Sequence, residues 1–351
     1  VSGRLDLRRG VVVSADPLVV EIDAERRPAW ADEVLLGPMH EGDEVVVNAA
    51  ALDLGLGSGG FDVVHVNLTR GLGGGAEGDA HVMKLNYTSL QHPVAPVEGE
   101  KPLDSNGNST WRSLTDAERH QIPVVVLPLH GHLAPAVWAA AQASPGIRVG
   151  YVQTGGGALP GSFSSDVATL RERGLLSGHI TAAPSFGGEH EALSTVGALD
   201  AAAALGWDAV LVGPGPGIIG SDTEFGHGGM AALDSSHAAL SLRLPTILSP
   251  RLSSTDPRER HRGLSHHTAT VLELLLAPVT VAVPEVGEHG GAELASQIET
   301  ASGGRHHLKF GSADLDAYSA SGLPATTMGR SIAEDPLFFA APLAAGSILF
   351  S

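Results

Sequence analysis

The stretch DAVLVGPGPGIIGSDTEFGHGGMAALDSSHAALSLRLPTILSP, Asp208 to Pro250, holds one complete unit of the fold. DAVLVG reads as a buried strand, and a long glycine loop follows it. GMAALDSSHAALSL carries apolar residues at helical spacing, and PTILS reads as the next strand. The same alternation fills the chain from Ile122 onward. Candidate strands are IPVVVLPL, IRVGYVQ, GHITAA, DAVLVG, PTILS and PVTVAV, with HHLKF and PATTM weaker. Candidate helices are SSDVATLRERG, EALSTVGALDAAAALG, GMAALDSSHAALSL, SHHTATVLELLLA and AELASQIETASG. Alternation repeated this often implies a parallel sheet with helices on both faces. The expected class is therefore α/β, a doubly wound, mostly parallel sandwich over residues 122–351. A closed eight-unit barrel is the alternative.

The first ninety residues have a different texture. GVVVSAD, PLVVEID, DEVLLG, GDEVVVNA and FDVVHVNLT are short valine-rich runs separated by turns, and HVMKLNYTSL is a last candidate strand. Residues 1–92 are expected to form a small β-rich, barrel-like domain. Residues 93–121, rich in proline, Asn-Gly and polar side chains, read as a linker or excursion that Trp111 and TDAERH could dock.

Composition narrows the function classes. Hydrophobic residues make up 43% and charged residues 17% of the 351, an ordinary globular mixture. Forty-five glycines against 4% aromatics suit many tight strand-to-helix turns. The absence of cysteine excludes disulfides, thiolate metal sites and cysteine nucleophiles. Asp16 and Pro17 interrupt the only early apolar run, and no window approaches a membrane span. A soluble, cytoplasmic protein without a membrane partner is the expectation. A formal net charge of −18 argues against a nucleic-acid partner. Oligomeric state is left open, and no cofactor is named by the sequence.

In open parallel sheets, ligands bind outside the carboxyl ends of the strands, where strand order switches. The loops there are HGHLAP, TGGGALPGS, APSFGGEHE, GPGPGIIGSDTEFGHGG and SPRLSSTDPRERHRGLS, and they gather most of the glycines and histidines of the second half. GPGIIG fits G-x-G-x-x-G, but the next strand ends in Ser-Pro-Arg251 rather than an acidic residue, so a dinucleotide fingerprint is incomplete. Gly213, Gly215, Gly217 and Gly220 are instead expected to permit close backbone packing. Neither a P-loop lysine nor a G-x-S-x-G elbow is present.

The cationic RERHRGLSHHT, Arg258 to Thr268, is the strongest site candidate. Ser265 is a plausible N-cap for the helix that follows. Arg251, Arg258, Arg260 and Arg262 then converge on a helix start whose free N–H groups carry about half a positive charge. A small anionic guest is expected there, with Thr154, Gly155 and Gly156 offering hydroxyl and backbone donors from the opposite side. His261, His266 and His130 are candidate proton carriers. His266 and His267, about 100° apart on a helix, look poorly placed to share one metal. The bland arrangement is a solvated basic loop paired with Asp256 and Glu259. A separate metal alternative is Asp222, His227, Asp234 and His237, the last two being three apart on one helix face. Its own bland reading is capping and solvation.

Taken together, EGDEVVVN, LGLGSGG, HVMKLNYTSLQ, HITAAPSFGGEHEA, VGPGPGIIG and DPRERHRGLSHHT resemble a bacterial family catalogued as domain of unknown function 3866. The resemblance runs over nearly the whole chain and implies no activity. After VGPGPGIIG that family reads more like GTGTxxGFSG, and glutamine is expected where His132 stands. Those departures move weight from Asp222, His227 and His132 toward Arg258–His267. The expected function is binding of a small anionic metabolite, phosphorylated ones included, by a hydrolase or transferase. A non-catalytic nucleotide or metabolite sensor and a divalent-metal-dependent hydrolase are the alternatives.

Overall fold

The computed structural model describes residues 3–56, 59–75, 78–98, 122–221, 223–287 and 290–350. Trp111, the TDAERH segment and Asp222 lie outside the described residues. The chain divides into two compact units, one up to Asp79 and one from Ala80.

In the first unit, β1 (Leu7–Ala15), β2 (Leu18–Ile22), β3 (Glu25–Trp30), β4 (Glu44–Asn48) and β5 (Asp62–Asn67) close a barrel in the order β1-β2-β3-β5-β4. β3 and β5 run parallel, and β4 returns antiparallel to β1. Val12, Val20, Ile22, Val45, Val47 and Val64 fill the interior. Two elements differ from expectation. DEVLLG is a single helical turn, Glu33–Leu36, because the Asp32 side chain accepts from the Val34 N–H and Gly37 ends the turn at φ +76°. Its place in the barrel is taken by ERRPAW, whose Arg27 is buried and donates to Asp62 over 2.6 and 3.1 Å.

The second unit is built on eight parallel strands. In chain order they are β8 (Val124–Val126), β9 (Val149–Thr154), β10 (Gly178–Ala182), β11 (His190–Ala192), β12 (Ala209–Pro214), β13 (Thr246–Leu248), β16 (Thr280–Pro284) and β17 (His307–Gly311). Two-stranded ribbons supply β6 (Val82–Lys84) with β7 (His92–Val94), and β14 (Leu252–Ser253) with β15 (Gly263–Leu264). Lys84 fastens the first ribbon within this unit, donating to the Thr181 carbonyl at 2.7 Å and pairing with Glu191. Across the sheet the order is β11-β10-β9-β12-β8-β13-β16-β17.

Alternation along β8 sends Val124 and Val126 to one face and Val125 to the other. The first face packs against α3 (Thr195–Ala204), α4 (Ala231–Ser241), α5 (His266–Leu274) and α6 (Gly290–Ser302); the second packs against α1 (Leu133–Ala143), α2 (Ser165–Glu172), α7 (Leu315–Ala320) and α8 (Pro336–Ser347). The sandwich is therefore doubly wound. Trp207 needs a flat slot on the first face. Gly150 and Gly178 provide it, since a Cβ on either would fall within 2.5 Å of the indole. No helix among the described residues is long and apolar enough to cross a membrane.

The topology fixes where a crevice opens. β12 inserts between β9 and β8, and β13 lies on the far side of β8. The chain leaving β8 turns to α1 on one face, while the chains leaving β12 and β13 turn to α4 and α5 on the other. Loops diverge there, the place where open parallel sheets commonly bind ligands.

Candidate functional site

Four loops meet at that point. His130 and His132 follow β8, the Gly155–Gly157 turn follows β9, the Gly215–His227 loop follows β12, and Ser249–Arg251 follow β13. Glycines let two of these loops interlock. Gly156 sits at φ +106°, and a Cβ there would stand 2.6 Å from the Gly228 carbonyl; a Cβ on Gly157 would stand 2.1 Å from that of Gly215. The contact is backbone on backbone. Gly220 does not open a helix, because it bridges to His227 and α4 begins only at Ala231. Gly213 packs on the Leu127 carbonyl, and Gly217 takes φ +71°. Thr154 is buried at the end of β9, and its hydroxyl donates to the Gly155 carbonyl.

Ser265 caps α5, accepting from the His267 N–H at 3.3 Å. Its hydroxyl also lies 2.7 Å from His261 Nδ1. His261 is thereby fixed in a short 3-10 turn, Glu259–His261, fully buried.

Arginine and aspartate form the floor. Arg258 donates twice to Asp256, at 2.9 and 3.0 Å, and Arg262 donates to the Asp256 carbonyl at 2.9 Å. Arg260 is exposed. Arg251 is only 4% exposed and reaches Asp256 at 3.5 Å, while Arg330 lies 3.7 Å from Asp256 and donates to Asp335 at 3.1 Å. Asp335 is held further by Ser253 and the Ser254 N–H, at 2.7 and 2.6 Å. Burial works against the Asp256 anion, but hydrogen bonds from Arg258 and the neighbouring positive charges hold its carboxyl well below the usual range. Burial and the Arg258 charge lower the Arg251 guanidinium to about 10, leaving it cationic at neutral pH.

Histidines form the walls. His227 lies face to face with His267, ring centres 3.6 Å apart and planes 9° apart, and His266 and His261 close the group. Burial, reinforced by the arginines, keeps these rings neutral: His261 falls to about 3, His267 to about 2, and His227 and His266 are also lowered. His132 falls to about 3 for the same two reasons and sits 3.0 Å from Ser249 Oγ. His130 belongs to a neighbouring network, 2.7 Å from Ser164 Oγ and 3.3 Å from the Pro214 carbonyl.

Buried polar atoms normally have partners, so those without one ask for a reason. Among the described residues, His132 Nε2, His227 Nδ1, Arg251 Nε, His261 Nε2, His266 Nε2 and Arg330 Nη2 are all buried and lack a hydrogen-bond partner. These six are nitrogens of one neighbourhood of arginines and histidines; His92 Nε2, Glu98 Oε2, Ser185 Oγ and Ser235 Oγ are buried in the same way on other residues.

Arg251, His261, His266 and Ser265 are thus brought together, and His227 joins them. Asp234 is exposed on α4, and His237 accepts from the Leu276 N–H at 3.3 Å. His266 and His267, despite their angular separation, offer ligand atoms within 4.8 Å of each other and of His227. Arg330, Asp335 and Ser249 were not singled out from sequence. Nothing local marks them.

A family model described as "Protein of unknown function (DUF3866)" matches residues 29–346, and the chain belongs to that family. No curated protein and no solved structure matches it.

Proposed function

We propose that this member of the DUF3866 family is an enzyme that acts on a small anionic metabolite at the strand ends of its α/β unit. One observation carries the reading: Arg251 Nε is buried without a hydrogen-bond acceptor, and Arg330 Nη2 is buried with only the Asp256 carboxylate near it, 3.7 Å away and beyond hydrogen-bond distance. A guanidinium can only donate, so the missing partner must be an acceptor, and a phosphate or carboxylate oxygen suits it best. Arg258 and Arg262 support the site indirectly, by holding Asp256 where it balances Arg251. His261, anchored on Ser265, presents a buried Nε2 without a partner, which would hydrogen-bond a protonated oxygen of the guest and accept its proton only where the guest's own charge raises the ring's basicity. Hydrolysis or group transfer of an anionic metabolite fits this set, in which arginines would anchor the anion beside neutral imidazoles.

A thermal-shift panel of phosphate, sulfate, mono- and dicarboxylates and phosphate monoesters tests the reading. At least one anion is expected to raise the melting temperature of the wild type, and Arg330→Gln is expected to abolish that rise. Indifference of the wild type to every anion would refute the assignment. Arg251→Lys keeps the charge but loses the Nε donor, and should weaken the same anion about tenfold, the effect of roughly 1.4 kcal/mol.

A further inference from the structure

We propose that His227, His266 and His267 also form a site for a transition-metal ion of the zinc class, reached from the loop after β12 and the start of α5. Their donor atoms lie within 4.8 Å of one another. Nitrogens on a tetrahedral zinc ion, each about 2.0–2.1 Å from the metal, stand roughly 3.4 Å apart, so a ring rotation closes the difference.

The hydrogen bonds decide which lone pairs are free. His227 Nε2 lies 3.0 Å from the Glu224 carbonyl, which can only accept. The proton therefore sits on Nε2, and Nδ1 carries a lone pair that is buried and has no partner. A histidine ligand whose other nitrogen donates to a backbone carbonyl is the usual support for a metal bond. His266 Nε2 is likewise unpartnered. His267 Nδ1 accepts from Arg251 Nη1 at 3.0 Å, so its lone pair also faces the group. A metal ion would compete for that lone pair and displace the guanidinium toward Asp256. It would also part the face-to-face rings of His227 and His267. The cradle is shaped by Gly229, where a Cβ would stand 2.9 Å from His227 Nδ1 and 3.3 Å from a ring atom of each of His227 and His267.

This site does not require the anion reading, and one variant separates them. Arg251→Gln removes both the competitor for His267 and a repelling charge. It should strengthen binding of the metal alone while weakening binding of the anion. The full chain, stripped with chelator and dialysed into metal-free buffer without phosphate, would be titrated with Zn²⁺ by calorimetry and with Co²⁺ by visible absorption. One equivalent of Zn²⁺ and an intense tetrahedral Co²⁺ spectrum are expected. His227→Ala, His266→Ala and Gly229→Ala should each lose both signals, and His237→Ala should keep them. Zn²⁺ binding that is absent, or that survives both His227→Ala and His266→Ala, would overturn the proposal. Anion binding measured in chelator would be untouched by that result. Circular dichroism of each variant separates loss of the site from loss of the fold.

Discussion

Two buried histidines outside the arginine cluster show how single residues tie this fold to pH. His130 and His179 are pushed by burial to about 4 and about 3, and His179 stacks on Tyr151 while bonding Gln153. In the unfolded chain both would take up a proton near the ordinary value of about 6.5. The native state refuses that proton, so the stabilisation is complete above pH 6.5 and is lost as the pH falls toward 4. Each group removes about 1.4 kcal/mol per pH unit across that window. Urea midpoints measured between pH 7 and pH 4.5 should therefore fall steeply. His179→Asn, which cannot titrate, should flatten the slope; an unchanged slope would mean the native state admits the proton. Arg27 makes a complementary point about reading sequence. Two arginines and a proline disguised β3, because the side chain that faces the barrel interior is a cation matched by Asp62 and Asp53, thirty-five and twenty-six residues away.

At the scale of elements, the turns after β9 and β12 interlock beside the candidate site. Gly156→Ala would force a β-carbon into the left-handed region and against the Gly228 carbonyl. The expected cost is about 1–3 kcal/mol, read from denaturant unfolding, with the anion-induced thermal shift lost as the loop after β12 moves away. Native-like stability would mean the two turns do not bear on each other. Elements were legible where the signal is local. The Ser265 cap, the glycine turns and five helices with a polar face could all be read directly. Three helices could not, and one of them, α7, is only six residues long. LAPAVWAAAQA and PLFFAAPLAAGS hold almost no polar residues because α1 and α8 bury against each other and the sheet, so neither has a charged face to mark it as a helix. The same limit hid half of the site. Arg330 and Asp335 join Arg251 and Asp256 only through the return of the last helix beneath the sheet's end, a relation that no spacing in the sequence encodes.

For the whole molecule, the cationic floor is set in a chain of formal charge −18. An anionic guest of the proposed kind would meet repulsion at long range and attraction only at the last step. Raising ionic strength shortens the screening distance from about 30 Å at 0.01 M to about 8 Å at 0.15 M. The association rate of a phosphate-bearing ligand, followed by stopped flow, should therefore rise with potassium chloride over that range, while dissociation changes little. A falling association rate would mean that the basic loop, and not the net charge, governs approach. The slot that Gly150 and Gly178 leave for Trp207 has a consequence of its own. An indole shut away from water emits at shorter wavelengths than one in contact with it, so this ring is an optical gauge built into the α/β unit, and Trp30 reports on the barrel. With four tryptophans sharing the emission, variants that keep only Trp207 or only Trp30 would let light tell which half of the chain has come apart.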